Sequence, residues 1–144
     1  LQMGISYIPQ EKNAFGNLTV EENILIGNLG NTKSQARKEK LEYVFTEFPV
    51  FKDRRKQWGR SLSGGQKQLL ALARVFLDNS KLILLDEPTL GLSEHNTRIF
   101  LDKLMDIKQK LKISVMIIEH NFEKILPMVD KVYKLDNKKL ILSK

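Results

Sequence analysis

Four consecutive apolar residues, Leu82-Ile83-Leu84-Leu85, stop abruptly at Asp86-Glu87-Pro88. A run this short with no polar alternation is the pattern of a strand buried on both faces, as in a parallel sheet. Ile113 to Ile118 repeats the pattern, and the stretch between them, Glu94 to Leu111, places apolar and charged residues at helical spacing. Two buried strands separated by a helix imply an α/β sheet built with crossover connections. In open α/β sheets, ligands gather at the C-terminal edge of the strands, so the two carboxylates after Leu85 stand where chemistry is expected.

The rest of the chain divides around this frame. Ile5 to Ile8 is a short β-rich run halted by Pro9, read as a strand entering a loop. Thr19-x-x-Glu22 is a capping-box pattern ahead of Ile24, Leu25 and Ile26, so a helix is expected there. Gly27 to Thr32 is a break. Ser34 opens a second helix with Ala36, Leu41, Val44, Phe45 and Phe48 on its apolar positions, ended by Pro49. Residues 49–61 are expected to form a basic loop holding the single tryptophan, Trp58, as a half-exposed cover. Lys67 to Leu77 is strongly helical, Phe122 to Met128 is a short helix, and Val132–Leu135 with Leu140–Leu142 form a hairpin around Asn137-Lys138-Lys139.

The second motif is Leu62-Ser63-Gly64-Gly65-Gln66, 20 residues before the Asp-Glu pair. Ser63 is a good N-cap and Ser63-x-x-Gln66 makes a capping box. Gly64 and Gly65 let phosphate oxygens approach backbone N–H groups at the positive end of a helix. In the first motif, Asp86 offers Mg²⁺ a hard oxygen ligand, directly or through water, and Glu87 is placed to polarise a water against a γ-phosphate. Pro88 biases Glu87 toward an extended backbone, so the two acids project differently.

With these motifs in order, the chain resembles the nucleotide-binding domain of ATP-binding cassette (ABC) proteins. Leu62 to Gln66 looks like the family signature. Leu82 to Asp86 looks like Walker B, followed by the catalytic carboxylate Glu87. Tyr7-Ile8-Pro9-Gln10 resembles the Q-loop, Leu90-Gly91-Leu92-Ser93 stands in the D-loop position, and Ile118-Glu119-His120 resembles the H-switch. The resemblance implies that Gln10 contacts Mg²⁺ and the attacking water, and that His120 contacts the γ-phosphate. It implies that Leu62, Ser63, Gly64, Gly65 and Gln66 bind nucleotide, and that Gly91, Leu92 and Ser93 communicate across a dimer. Many members have Asp where Ser93 stands, which puts that communication in doubt. Within the family, Asn17 to Asn23, Phe48-Pro49 with Arg54-Arg55, and Gly91-Leu92 resemble the ATPases of importers for branched-chain amino acids and amides.

The family's Walker A loop, G-x-x-G-x-G-K-S/T, belongs upstream of the Q-loop and does not occur in these 144 residues, nor does an adenine-stacking aromatic in that place. Residue 1 is Leu, not Met. The expectation is therefore the C-terminal part of a P-loop NTPase-type α/β domain: a mostly parallel sheet, an inserted α-helical subdomain and a C-terminal hairpin. Residues 1–10 would be the Q-loop strand, 11–78 the helical subdomain with the signature, and 79–144 the C-terminal part of the core. Alone, such a piece is expected to lack ATPase activity.

Composition sets limits on partners. Without cysteine, no disulfide scaffold or thiolate metal site is possible, and no apolar run exceeds five residues, so no transmembrane helix is expected. The formal charge of +7 is concentrated in residues 31–60 and in the C-terminal lysines. Aromatics, at 8%, do not interleave with the basic run, so no nucleic-acid partner is expected. The resemblance implies ATP and Mg²⁺ as cofactors, a second ATPase subunit and transmembrane permease subunits as partners, and a peripheral position on the cytoplasmic side of the membrane. Two other readings stay open: a soluble ABC ATPase of translation or DNA metabolism, and an inactive fragment. Chromosome-type members carry long coiled coils between Q-loop and signature, whereas Gln10 and Ser63 here are 53 residues apart.

Overall fold

The computed structural model describes residues 4–11, 13–26, 34–78, 80–120 and 122–143. Strand β1 (Ile5–Ile8) is followed by helices α1 (Val20–Leu25), α2 (Ser34–Glu47) and α3 (Gly64–Leu77). Then come β2 (Leu82–Asp86), α4 (Glu94–Leu111), β3 (Ser114–Ile118) and the hairpin β4 (Tyr133–Asp136) and β5 (Lys139–Leu142). The sheet order is β1-β2-β3, and both pairings are parallel. Tyr7 aligns with Leu84 and Leu84 with Met116. Each pair is joined by a helical crossover, as parallel strands require.

Local chemistry starts the helices. Thr19 accepts from Glu22 N while Glu22 reaches back to Thr19 N, and Ser63 and Gln66 do the same for α3. Because the cap sits at Ser63, both glycines fall inside the first turn and α3 begins three residues before the expected Lys67. Ser93 caps α4, and Lys112 ends it with φ +52°. The break expected over residues 27–32 lies outside the described residues.

Buried side chains form one continuous core. Val20, Ile24, Val44, Phe45, Leu70 and Leu72 from the helical segment join Ile8, Ile83, Leu85, Phe100 and Leu104 of the sheet and α4. α3 packs against both α1 and α4. Residues 49–61, expected as a loop, instead form two 3₁₀ turns, Pro49–Arg54 and Gly59–Ser61. Phe51 drives the first by burying completely and stacking near Phe48. Phe122 to Met128 is two 3₁₀ turns, not a helix. Pro127 has no N–H to donate to the carbonyl four residues back, so an α-helix cannot run through it. The hairpin turns through Asn137 and Lys138, both at positive φ, the geometry a two-residue connection needs.

One expectation is corrected. β2 and β3 are not covered on both faces. Ser6, Ile8, Ile83 and Leu85 are buried on one face, with Val115 and Ile117 packed against the core beside them. On the other face Tyr7, Met116 and Ile118 are at least half exposed, and Ile5, Leu82 and Leu84 are only partly covered. A parallel sheet reads as continuously apolar because it needs layers on both sides. Among the described residues, only one side has its layer.

Candidate functional site

The C-terminal ends of three adjacent strands bring three side chains together, two of them meeting the carboxylate of the third. β1 leads to Gln10, β2 to Glu87, and β3 to His120. Gln10 Nε2 donates to Glu87 Oε2 at 3.0 Å. His120 Nε2 lies 2.9 Å from Glu87 Oε1. Glu87 is mostly enclosed, with its side chain 16% exposed, whereas His120 is 89% exposed and open to whatever approaches the sheet edge. Both oxygens of Glu87 are thus engaged, which orients the carboxylate.

The backbone at Glu87 is unusual. Its φ is +43°, a left-handed conformation that costs a non-glycine residue about 1–3 kcal/mol. This departs from the extended backbone expected ahead of Pro88. Glu87 N donates to Ile118 O at 2.9 Å, and Leu90 N closes a turn onto Glu87 O at 3.1 Å. Asp86 points to the open face, where the Tyr7 hydroxyl donates to its Oδ2 at 3.1 Å. That bond, with burial and the neighbouring charge, holds the Tyr7 phenol above its ordinary value. Tyr7 was not anticipated as a partner for Asp86, and only the register of β1 against β2 reveals it.

The glycine motif sits beside the loop that follows Glu87. Ser63 and Gly64 are exposed at the start of α3, while Leu62 and Gly65 are buried. A Cβ on Gly65 would stand 2.9 Å from Asn96 Cγ, so only glycine lets α3 approach α4 this closely. Leu92 packs beside Gly64. The Gln66 side chain is committed to the cap, accepting from Ser63 N at 3.0 Å. Gly91 has φ +71° and open space around it, and Ser93 accepts from Asn96 N. An open cleft of ≈ 520 Å³ runs between these parts, lined by Gln10, Asn13, Gly64, Lys67, Gln68 and Gly91 among others.

The loop after Gln10 is tied down by a residue to which the sequence reading gave no role. Asn23 is fully buried, and its side chain bonds Phe15 N and the carbonyls of Phe15, Leu18 and Thr19. Phe15 remains half exposed, with the Arg74 guanidinium 5.3 Å over its ring. Trp58 is likewise half exposed, under Arg60 at 5.5 Å.

Mg²⁺ fits this donor set only as a shared ion. Among the described residues, no group of three His, Cys, Asp or Glu side chains could hold a metal. Asp86 and the side-chain amide oxygen of Gln10 would supply two of the six oxygens Mg²⁺ requires, leaving the others to phosphate and water.

The family model described as "ABC transporter" matches residues 1–90. The probable branched-chain amino acid transport ATP-binding protein LivF of Archaeoglobus fulgidus is 34% identical over 134 residues, covering 93% of this chain and 56% of that protein. BraG of Pseudomonas aeruginosa, a high-affinity branched-chain amino acid transport ATP-binding protein, is 31% identical, covering 99% and 60%. The lipopolysaccharide export system ATP-binding protein LptB of Haemophilus influenzae is 32% identical, covering 97% and 58%. A nucleotide-free ATP-binding cassette from an ABC transporter superposes with TM-score 0.78 at 25% identity, covering 97% of this chain and 60% of that one. The chain therefore spans somewhat more than half the length of each of these four relatives. With its parallel sheet, capped glycine motif and the Gln10–Glu87–His120 cluster, the chain belongs to the ABC transporter ATP-binding family.

Proposed function

We propose that these residues are the C-terminal part of an ATP-hydrolysing, energy-coupling subunit of an importer for branched-chain amino acids or related small solutes. The observation that carries this reading is the convergence of Gln10 and His120 on Glu87, at 3.0 and 2.9 Å. Glu87 accepts the proton of the attacking water. His120, exposed at the sheet edge, contacts the γ-phosphate. Gln10 orients the water and, with Asp86, would offer Mg²⁺ two oxygen ligands; the ion when bound would supply charge neutralisation on the phosphates. Gly64 and Gly65 present backbone N–H groups, and Ser63 its exposed hydroxyl, to the ATP of a second subunit, and Gly91 to Ser93 line the same contact. Leu62 supports that turn from inside the core.

The open face of the sheet fits the same proposal. Ile5, Tyr7, Leu84, Met116 and Ile118 are the apolar surface on which the remaining part of a longer polypeptide, including a phosphate-binding loop, packs. Residues 11–78 form the segment that meets a separate permease, chiefly through the loop fixed by Asn23 and displaying Phe15. No described helix is long and apolar enough to cross a membrane, in keeping with a peripheral subunit on the cytoplasmic side. Two high-coverage relatives named for branched-chain amino acid transport support that substrate class.

Glu87→Gln in the complete protein tests this. The swap preserves the bond from Gln10 but removes the proton acceptor. Turnover should fall by about 10²–10⁴-fold while ATP binding persists and the ATP-bound dimer accumulates. Turnover at the normal rate refutes the assignment.

A further inference from the structure

The cross-strand ladder between β2 and β3 ends with Glu87 N donating to Ile118 O. The next residue, Pro88, has no N–H to offer. The donor after it, Thr89 N, is taken by a side chain: Glu119 Oε1 accepts Thr89 N at 3.0 Å and Thr89 Oγ1 at 2.6 Å. Both bonds are partly buried. Glu119 thus continues the link between the two strand ends past the point where the backbone can.

The position of this clamp is what matters. Extending the register of Asp86 with Ile118 by one step places Glu119 opposite Glu87. Glu119 is joined directly to His120, and Thr89 lies two residues beyond Glu87. Between the clamp and the last ladder bond sits Glu87 itself, in its left-handed conformation. Such a backbone persists only where its surroundings over-determine it. Beyond Thr89 the chain turns directly into Leu90 to Ser93, with Leu92 N bonded to Thr89 O at 3.2 Å. Leu92 in turn packs beside Gly64. A displacement of Thr89 would therefore move Glu87 away from His120 on one side and the Gly91–Leu92 loop away from the glycine motif on the other.

We propose that Glu119 is a positioning residue, which through its two bonds to Thr89 holds Glu87 against His120 and sets the loop that meets Gly64. This rests on the reading of Glu87 and His120 given above. Glu119 touches no reacting atom. Its effect is on geometry, and a misplacement of order 1 Å at a reacting group costs about 10²-fold in rate.

The test is steady-state ATP hydrolysis by the complete protein, with thermal unfolding measured on the same samples. Glu119→Ala should lower kcat about 10- to 100-fold while KM for ATP stays near normal and the melting temperature falls by only a few degrees, from the orphaned Thr89 N–H. Thr89→Val removes the hydroxyl bond and should lower kcat in the same direction. Thr89→Ser keeps both bonds and should restore it. Glu119→Gln keeps an acceptor oxygen without the charge and should remain within about threefold of normal, because an amide oxygen accepts the same bonds. The Glu119→Ala/Thr89→Val pair should be no worse than Glu119→Ala alone, since both changes break one contact. Normal kcat in Glu119→Ala, equal losses in kcat and thermal stability, or multiplicative losses in the double variant would each overturn the proposal. Glu87→Gln assayed alongside separates the two failures. If it stalls turnover while Glu119→Ala does not, only the clamp is wrong; if it turns over normally, the site reading has failed first.

Discussion

Asn23→Ala should destabilise the fold by about 3 kcal/mol, and the figure follows from tracing each bond. The Asn23 carbonyl accepts Phe15 N at 2.8 Å, and its amide reaches Phe15 O at 2.9 Å, Leu18 O at 3.1 Å and Thr19 O at 2.9 Å. The amide has two hydrogens for three acceptors, so one bond is shared. Each of those carbonyls keeps a second donor: Leu18 N, Gly59 N and Asn23 N respectively. Losing the amide therefore costs about 0.5–1 kcal/mol per hydrogen. Phe15 N has no such reserve, and an orphaned N–H costs about 1–3 kcal/mol. Two amide hydrogens and one orphaned donor together give about 3 kcal/mol. In a domain of about 150–250 residues, that lowers the melting temperature by about 6–12 °C. Thermal unfolding of the complete protein, followed by circular dichroism, reads this directly. Limited proteolysis should show new cleavage between Phe15 and Leu18. A melting temperature within about 2 °C of normal, with that loop still protected, refutes the claim that Asn23 holds it.

Gly65→Ala should cost about 1–3 kcal/mol by overpacking against Asn96, and Asn96→Ala in the same chain should recover most of it, because the atom met at 2.9 Å is gone. Urea unfolding of the single and double variants checks this. Glu47 carries the second effect. Hydrogen bonds from Lys110 and then Lys103, against an opposing desolvation, hold its carboxyl below its ordinary value of 4.5. A depressed carboxylate contributes stability above that value and loses it as pH falls through the lower, folded one. Glu47→Gln should thus be less stable than the parent by about 1–2 kcal/mol at pH 7, with the gap closing below pH 4.5, as denaturation midpoints across pH would show.

What the sequence announces is set by distance along the chain. Thr19 with Glu22, and Ser63 with Gln66, are three residues apart, so their reciprocal caps are readable as strings. Glu94–Leu111 is likewise visible, because a long amphipathic helix repeats its pattern five times over. Gln10, Glu87 and His120 are legible only as the residues that follow three apolar runs; that they meet on one carboxylate depends on strand order, which no local pattern encodes. Glu119 and Thr89, Tyr7 and Asp86, and Gly65 and Asn96 are pairs that tertiary packing creates, and their sequences show nothing periodic. The apolar runs of β2 and β3 announce two covered faces because they record what the sheet needs. The described residues supply one of those faces. Pro127 is the opposite case: the cue for broken helix was present, and the apolar spacing around it outweighed it.

The parallel ladder that aligns Ile8 with Leu85 and Asp86 with Ile118 has a consequence for how such a chain can change over generations. Neighbouring strands stand about 4.8 Å apart whatever joins them, so the separation of the three strand ends is a property of backbone hydrogen bonding. The 76 residues between Gln10 and Glu87, and the 32 between Glu87 and His120, leave and return at fixed points. Lengthening or shortening either excursion costs little, since loop-closure entropy rises only by about 0.6 kcal/mol per doubling. Deleting Leu84 would do far more harm, turning Leu85 outward and carrying Glu87 to the wrong side of the sheet. Variation in length should therefore accumulate in the crossovers, where a new partner can be accommodated, while the short strands tolerate almost none.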